Sequence, residues 1–283
     1  MPSVPKEIKI NKDLCIGGFN PLFLIAGPCV IESEDHAFFM AAEINKICGE
    51  LKIPFIFKSS FDKANRSSID SYRGPGLKQG LKILNGIKKE LSIPVLSDIH
   101  ETWQAEKAAE VLDIIQIPAF LCRQSDLITA AAGTGRPLNI KKGQFLSPPE
   151  MKNVIDKVLK QKNDNIILTE RGTCFGYNNL VFDVRSIPIM KKWGFPVVID
   201  ASHAVQKPGG KGQSSGGETE FIPVIAQAGV SVGADGVFME VHDDPAKALS
   251  DSSNSLSLKE LNVILKSLLN IRKAVIQKTV YDS

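Results

Sequence analysis

The sequence contains no apolar run that is long enough to cross a membrane. Its longest apolar stretch, residues 22–31, is interrupted by Gly27 and Pro28 and is far shorter than the roughly 18 residues that a transmembrane helix needs. The first residues also lack the cationic start and apolar centre of a signal peptide. We therefore expect a cytoplasmic protein that has no membrane partner.

The sequence also has little excess charge. Its 34 lysines and arginines and 31 acidic residues give a formal net charge of +3. Because a nucleic-acid surface needs an excess of positive charge on one face, we do not expect a nucleic-acid partner. Any positive potential that binds a ligand must then be local.

Paired cysteines and nucleotide-binding fingerprints are absent as well. The five cysteines are odd in number and not closely paired, which is typical of a reducing compartment. Neither a G-x-G-x-x-G motif nor a P-loop occurs at a strand-to-helix turn, so we interpret the glycines of residues 73–76 as a turn. The glycine-rich residues 205–217 fit a lid over a binding site and a passive loop equally well.

Eight short apolar runs alternate with segments of helical periodicity and predict an α/β fold. The runs cover residues 22–26, 53–57, 93–97, 113–117, 138–141, 166–169, 195–199 and 236–239. Strands that are apolar on both faces pair in parallel, and at this length a (β/α)8 TIM barrel is the most economical arrangement. A doubly wound open sheet is the alternative. We assign residues 1–20 to a short N-terminal β-hairpin and residues 21–283 to a single barrel domain.

A cationic stretch, residues 57–68, directly follows the second apolar run. It contains Lys58, Lys63 and Arg66 together with an amide and several hydroxyl groups. Positive side chains held close together repel one another unless an anion lies between them, and hydroxyl groups are natural partners of phosphate oxygens. We interpret the stretch as a pocket for a phosphorylated substrate. A solvated loop is the alternative.

Further polar residues stand where the other predicted strands end. Barrel enzymes build their sites at the carboxyl ends of the strands, so these side chains are expected to converge. They are Cys29, Asp98 with His100, Gln116, Lys141, Arg171, Asp200 with His203, and Glu240 with His242. We count Asp98 and Gln116 with the substrate-binding residues.

The cations at this rim exceed what one phosphate requires. Lys141 and Arg171 would face the three cations of the second loop, which indicates two anionic groups or two anionic substrates. Strand alternation places Lys141, and not Lys142, on the inner face. We expect Lys142 to be a solvated surface lysine.

A mixed set of possible metal ligands is found at the same rim. Cys29, His203, Glu240 and Asp251 offer a thiolate, an imidazole and two carboxylates, which suits Zn, Fe or Mn as a divalent ion. Spacing alone is a weak signal, because no two of these residues form a local motif. The alternative is that Cys29 is a core residue and His203 a general acid or base.

These motifs, in this order, resemble the family of 3-deoxy-D-manno-octulosonate 8-phosphate synthases over about residues 22–258. The resemblance rests on residues 26–33, 57–68, 72–76, 116–124, 139–145, 170–172 with 175–178, and 202–206. It implies a transferase that condenses phosphoenolpyruvate with D-arabinose 5-phosphate and releases inorganic phosphate, in lipopolysaccharide biosynthesis.

The resemblance also implies roles for individual residues. Lys58, Lys63, Lys141 and Arg171 resemble the set that holds phosphoenolpyruvate, and Asn65, Arg66 and Ser67 resemble the clamp for the sugar phosphate. Arg123 resembles an arginine that reaches this clamp from a neighbouring subunit, which implies a homo-oligomer, usually a tetramer.

Cys29 implies the metal-dependent class of the family, in which Cys29, His203, Glu240 and Asp251 hold the ion. The segment after Asp251, residues 252–254, departs from the family's most familiar wording. We take Lys63, His203 and Asp251 as the candidate catalytic residues.

Two other functions compete with this interpretation. A related synthase joins phosphoenolpyruvate to erythrose 4-phosphate, but it typically has Lys-Pro-Arg-Thr/Ser where this chain has Lys63-Ala64-Asn65-Arg66-Ser67. A non-catalytic phosphate-binding barrel would keep the pocket and lack the chemistry. The sequence leaves open the native metal, whether that metal activates water or orients substrate, the number of subunits and the rate-limiting step.

Overall fold

The computed structural model describes residues 4–66, 68–177, 179–207 and 216–281, the last five of these by their backbone alone. Eight parallel strands form a closed barrel, and helices surround it. The strands of the described residues are β1 (Ile8–Lys9), β2 (Cys15–Ile16), β3 (Phe23–Gly27), β4 (Phe55–Lys58), β5 (Val95–Asp98), β6 (Ile114–Ile117), β7 (Leu138–Lys141), β8 (Ile166–Glu170), β9 (Thr173–Cys174), β10 (Leu180–Val181), β11 (Val197–Asp200), β12 (Gln206–Lys207), β13 (Gly216–Gly217), β14 (Gly236–His242) and β15 (Leu256–Ser257).

The barrel consists of β3 to β8, β11 and β14, each of which overlaps one of the eight predicted runs. These strands pair in sequence order, and pairing of β11 with β14 closes the ring, so the prediction of a (β/α)8 barrel is confirmed and the open sheet is excluded. Three short antiparallel pairs, β1 with β2, β9 with β10 and β12 with β13, stand apart from the barrel.

Helices follow the barrel strands along the chain. The α-helices of the described residues are α1 (Glu34–Leu51), α2 (Gly76–Leu91), α3 (Gln104–Ala109), α4 (Ser125–Gly133), α5 (Met151–Leu159), α6 (Ser186–Lys191), α7 (Ala201–Ala204), α8 (Ile222–Ser231) and α9 (Leu258–Tyr281). Short 3-10 turns occur at residues 119–121, 148–150, 219–221, 245–247 and 252–254. Among the described residues, no helix combines the length and the apolar character that a membrane span requires.

Local sequence signals explain where several helices begin. The hydroxyl of Ser33 accepts a hydrogen bond from the backbone N–H of His36 and caps α1. The predicted capping box between Ser147 and Glu150 is present at the 3-10 turn that leads into α5. Once started, α1 buries one apolar face that includes Met40 and Ile44, which fixes the helix against the barrel.

The N-terminal hairpin closes one end of the barrel. Ile8 and Ile16, which are 0% exposed, belong to the same apolar cluster as the inward side chains of the barrel strands, among them Phe23 and Phe238. The backbone N–H of Lys6 donates to the carbonyl of Gly194, which precedes β11, so the hairpin lies at the amino-terminal ends of the strands. The opposite end is left for polar side chains.

Candidate active site

A cavity of about 330 Å³ lies at the carboxyl ends of the barrel strands. Of the residues that the sequence predicted for a site, eleven line it: Lys58, Lys63, Asn65, Arg66, Asp98, His100, Gln116, Lys141, Arg171, His203 and Asp251. Cys29 and Glu240 are buried and contact residues of this wall. The exposed Arg123 is not among the lining residues, and Ser67 lies outside the described residues.

Gly27 brings the ends of β3 and β4 close together. A Cβ atom at this position would lie 2.1 Å from the carbonyl oxygen of Lys58, so only glycine fits. The close approach lets Lys58 Nζ donate a hydrogen bond to the carbonyl of Cys29 at 3.1 Å. A predicted cation and a predicted metal ligand thus become neighbours.

Two of the buried lysines are paired with carboxylates. Lys58 Nζ lies 3.0 Å from Glu240 Oε1, and Lys141 Nζ lies 2.7 Å from Asp200 Oδ2. Both ammonium groups also lie over the ring of Phe238, at 5.5 Å and 3.8 Å from its centroid. Burial lowers the pKa of Lys141 even though Asp200 favours its charged form.

Arg171 is a buried cation of the cavity that has few hydrogen-bond partners among the described residues. Only 6% of the residue is exposed, and one terminal nitrogen donates to Gln206 Oε1 at 3.0 Å. Its Nε and its other terminal nitrogen are buried and have no hydrogen-bond partner among the described residues. Burial lowers the pKa of this guanidinium, although Asp200 and Asp251 oppose the shift. Because a buried charge without partners is costly, this geometry favours an anionic ligand.

Lys63 and Arg66 extend the positive wall toward solvent. Burial alone would lower the pKa of Lys63, but the carboxylates of Asp98 and Glu240 are among the groups that outweigh burial and raise it. The guanidinium of Arg66 donates to the carbonyl of Tyr72 through two nitrogens and to the carbonyl of Leu249 at 3.1 Å. These contacts aim Arg66 at the loop that carries Asp251.

A chain of buried hydrogen bonds crosses the floor of the cavity. Ser60 Oγ donates to Asp98 Oδ2 at 2.8 Å, and Gln116 Nε2 donates to Asp98 Oδ1 at 2.5 Å. Gln116 in turn accepts from Asn139, whose oxygen accepts from Thr169. Burial would raise the pKa of Asp98, but Lys58 and Lys63 lower it well below its usual range. Asp98 is therefore held as a carboxylate in a fixed orientation.

The four predicted metal ligands lie beside this floor. Cys29 Sγ is 3.0 Å from Asp251 Oδ2, and His203 Nε2 is 3.7 Å from the same oxygen and 3.8 Å from Glu240 Oε1. Ligand atoms that share a cation at about 2.0–2.3 Å stand roughly 3.3–3.7 Å apart, so these separations suit a shared ion pair by pair. Within the described residues, however, no three of the four side chains bring their ligand atoms within 4.8 Å of one another.

Three further observations test whether this donor set fits a divalent ion. Glu240 Oε2 is buried and has no hydrogen-bond partner in the described part of the chain. Asp200 lies within 3.0 Å of His203 Nδ1, which leaves Nε2 to face the site. Asp251 adopts a left-handed backbone conformation with φ of 48°, a strain that concentrates at functional sites. The donor set therefore fits such an ion.

The protonation state of the Cys29 thiol depends on its buried surroundings. Burial, and then the charge of Asp251, raises its pKa to about 12. Its sulfur also lies 2.9 Å from the hydroxyl of Ser250. A thiol in this environment stays protonated at neutral pH unless a cation is bound beside it.

The expectation for Lys142 was wrong. This lysine is 0% exposed, and its Nζ donates to the carbonyl of Leu146 at 3.2 Å and to the hydroxyl of Thr173 at 3.0 Å. Its ammonium also lies 3.6 Å from Glu170 Oε1. Lys142 is on the outer face of its strand, as alternation predicts, but loops cover that face.

Sequence reasoning also left out residues that hold the site together. Asp200, which binds both Lys141 and His203, was visible only as a strand-end acid. Asn139 and Thr169 are polar residues at inward positions of otherwise apolar strands, and that contrast was the available signal. No sequence pattern indicated Ser250 as the neighbour of Cys29.

Comparison with known proteins gives consistent matches along almost the whole chain. Residues 6–277 match the model of the DAHP synthetase I family. A "2-dehydro-3-deoxyphosphooctonate aldolase" of Geotalea uraniireducens (strain Rf4) is 59% identical over 263 residues, which cover 93% of this chain and 96% of the relative. The protein of the same name from Cyanothece sp. (strain PCC 7425 / ATCC 29141) is 56% identical over 269 residues, or 95% of this chain and 98% of the relative.

Proposed function

Because the chain belongs to the DAHP synthetase I family, we propose that it condenses phosphoenolpyruvate with D-arabinose 5-phosphate and water to give 3-deoxy-D-manno-octulosonate 8-phosphate and inorganic phosphate. The relatives that share 55–59% of its residues are named for the octulosonate phosphate product. The single observation that carries the anion-binding part of this proposal is the buried guanidinium of Arg171, with two nitrogens unpartnered at the cavity.

The two rival functions are less well supported. The family model bears the name of the synthase that uses erythrose 4-phosphate, but the highly similar relatives carry the other name over nearly their full length. A non-catalytic barrel would not need the acid Asp98 and the carboxylate-bound imidazole of His203 beside its cations.

In the proposed reaction, C3 of phosphoenolpyruvate attacks the aldehyde carbon of the open-chain sugar phosphate. Water adds at C2, and phosphate leaves through cleavage of its C–O bond. Arg171, Lys141 and Lys58 bind the carboxylate and phosphate of phosphoenolpyruvate, and Asn65 and Arg66 bind the second phosphate. Holding two mutually repelling anions at reacting distance supplies most of the rate advantage.

Lys63 is the residue that acts on the sugar carbonyl. Its raised pKa keeps the ammonium protonated, so Nζ can donate a hydrogen bond to the oxygen on which negative charge develops. Asp98 and Gln116 orient the hydroxyl groups of the sugar through the fixed hydrogen-bond chain of the floor. His203 is held by Asp200 with Nε2 directed at the reacting groups.

Cys29, His203, Glu240 and Asp251 bind a divalent ion, Zn, Fe or Mn, as in the metal-dependent class of the family. When bound, the ion orients or polarises an oxygen ligand at the site. The separations of the ligand atoms and the free Oε2 of Glu240 support this assignment. Cys29→Asn tests it: if the metal-free variant binds phosphoenolpyruvate but is inactive, the ion is chemically necessary, and retained activity would make it dispensable.

The protein works as a cytoplasmic homo-oligomer, a tetramer in which Arg123 of one subunit completes the sugar phosphate clamp of another. The exposure of Arg123 and its absence from its own cavity support this arrangement. Arg123→Ala should raise KM for the sugar phosphate and leave phosphoenolpyruvate binding unchanged. Sedimentation of the purified chain measures the number of subunits, and a monomer that is fully active would contradict the arrangement.

A phosphate-release assay tests the proposed reaction. Purified protein is mixed with phosphoenolpyruvate and either arabinose 5-phosphate or erythrose 4-phosphate, before and after chelation. We expect release with the five-carbon sugar and much less with the four-carbon sugar. Preference for erythrose 4-phosphate would favour the rival synthase, and release with neither sugar would favour a binding protein.

A further inference from the structure

Two histidines and two carboxylates form a separate cluster beside the barrel. We define the His36–His242 cluster as Glu32, His36, His242 and Asp243. Glu32 and His36 lie at the start of α1, and His242 and Asp243 lie at the end of β14. No member of the cluster lines the cavity, and none belongs to the site described above.

The ligand-type atoms of this cluster are close together. Ligand atoms of Glu32, His36 and His242 all lie within 4.8 Å of one another. His242 Nε2 is 3.3 Å from Glu32 Oε1, and the two imidazole rings stand 4.6 Å apart with a tilt of 40°. Among the described residues, no other group of three or more His, Cys, Asp or Glu side chains has all its ligand atoms within 4.8 Å of one another.

One nitrogen of each imidazole makes a hydrogen bond and the other does not. Asp243 Oδ1 lies 3.0 Å from His36 Nε2, whereas His242 Nδ1 accepts a hydrogen bond from the backbone N–H of Asp244 at 3.0 Å. The remaining nitrogens, His36 Nδ1 and His242 Nε2, are buried and make no hydrogen bond within the described residues, although His242 Nε2 faces Glu32 Oε1 at 3.3 Å. The side chain of His242 is only 5% exposed, so water does not readily supply the missing partner.

A carboxylate that engages the far nitrogen of a histidine is the usual arrangement around a metal-bound imidazole. Two imidazoles and a carboxylate, without sulfur, suit Zn²⁺ or Co²⁺. We propose that Glu32, His36 and His242 bind a divalent cation of this kind, and that Asp243 orients the imidazole of His36.

The cluster is connected to the loop between β14 and β15. Glu32 Oε1 accepts a hydrogen bond from the backbone N–H of Leu249 at 2.8 Å, and the carbonyl of Leu249 accepts from Arg66. Asp251 follows two residues later. A cation bound at the His36–His242 cluster would therefore hold this loop against the start of α1. The cation itself would not contact the substrates, because the cluster does not line the cavity.

Cobalt titration of the metal-free full-length protein tests the proposal, because the two sites differ in sulfur. Only a site that contains Cys29 gives a cobalt–thiolate charge-transfer band. In the variant Cys29→Ala/His203→Ala, which clears the cavity site, we expect one equivalent of Co²⁺ to bind without that band. Adding His36→Ala to this variant should abolish binding.

Matched variants keep the test independent of folding and of the cavity metal. Asp35→Ala removes an exposed neighbour of His36 and should leave binding unchanged. Glu32→Gln, which changes no volume, should weaken Co²⁺ binding at least tenfold, and circular dichroism checks that each variant is folded. The proposal is wrong if the cavity-cleared variant binds no Co²⁺, or if His36→Ala and Glu32→Gln leave its binding unchanged. A wild-type protein that binds Co²⁺ only with the thiolate band would likewise overturn this second site and leave the first intact.

Discussion

The two ends of the barrel use the same eight strands in opposite ways. At the amino-terminal end, Ile8 and Ile16 of the hairpin pack on inward side chains such as Phe23, and the interior is dry and apolar. At the carboxyl end, buried Lys58 and Arg171 stand among carboxylates and amides. The same fold therefore gains stability at one end and carries strain at the other, which is the division expected of barrel enzymes.

Without bound ligands, the buried charges at the carboxyl end of the barrel lower the stability of the fold. Lysines paired with carboxylates offset part of the desolvation cost. Two nitrogens of Arg171 and one oxygen of Glu240 remain buried without hydrogen-bond partners among the residues that the structure describes. Substrate anions and a cation would satisfy those atoms. Ligand binding, in this account, completes an arrangement that the chain alone leaves incomplete.

The largest expected effect is at the charged end. Arg171→Ala should lower kcat/KM for phosphoenolpyruvate by about 100- to 1000-fold, because a buried charged contact contributes a few kcal/mol to binding. The free energy of unfolding of this variant should change little, since Gln206 is the one side chain that accepts a hydrogen bond from the guanidinium among the described residues. The exposed Lys78→Ala is the matched control and should stay within about twofold. A loss of less than tenfold for Arg171→Ala would contradict its role.

The opposite end should respond in stability and not in catalysis. Ile8→Ala removes a side chain that is 0% exposed and should lower the free energy of unfolding by about 3 kcal/mol. Denaturant unfolding measures this loss, and KM for phosphoenolpyruvate should be unchanged at temperatures where the variant is folded. Phe19→Ala removes an exposed ring as the control. A raised KM in Ile8→Ala would show that the two ends are coupled.

Lys142 sharpens the comparison, because it is a buried charge that does not face the cavity. Lys142→Met should lower the free energy of unfolding by about 2 kcal/mol, since Glu170 and three carbonyl groups lose a donor. Phosphoenolpyruvate affinity, measured by calorimetry, should stay within about threefold. An affinity loss as large as that of Arg171→Ala would show that Lys142 contributes to substrate binding.

The smallest expected effect is a change in the pH dependence of stability at Cys48, a buried thiol of α1 in the apolar core. Burial raises the pKa of Cys48 from 9.0 to about 12. The folded state therefore keeps its proton while the unfolded chain loses it, so the stability that Cys48 contributes is complete below pH 9 and falls as pH rises above it. The stability advantage of the wild type over Cys48→Ala should shrink by about 1.4 kcal/mol between about pH 8 and pH 10. An advantage that stays constant over this range would contradict the raised pKa.

Periodicity and strand ends predicted the architecture well because both are local in sequence. Apolar runs bounded by polar residues marked all eight barrel strands, and strand ends marked Lys58, Lys141 and Arg171 as neighbours. Lys142 was misread because its burial depends on loops from residues 143–146 and 172–173, which no local pattern reveals. Arg123 is exposed and does not line the cavity, so its proposed role rests on the family resemblance and not on a local pattern.

Arg171 Nε and one terminal nitrogen of Arg171 have no hydrogen-bond partner among the described residues, and we infer that they bind an anionic substrate at the carboxyl end of the barrel. A crystal structure of the protein with phosphoenolpyruvate decides whether they do. We predict that a carboxylate or phosphate oxygen lies within hydrogen-bond distance of Arg171 Nε or its free terminal nitrogen, with Lys141 beside it. Phosphoenolpyruvate bound elsewhere, with those two nitrogens still unpartnered, would contradict the account.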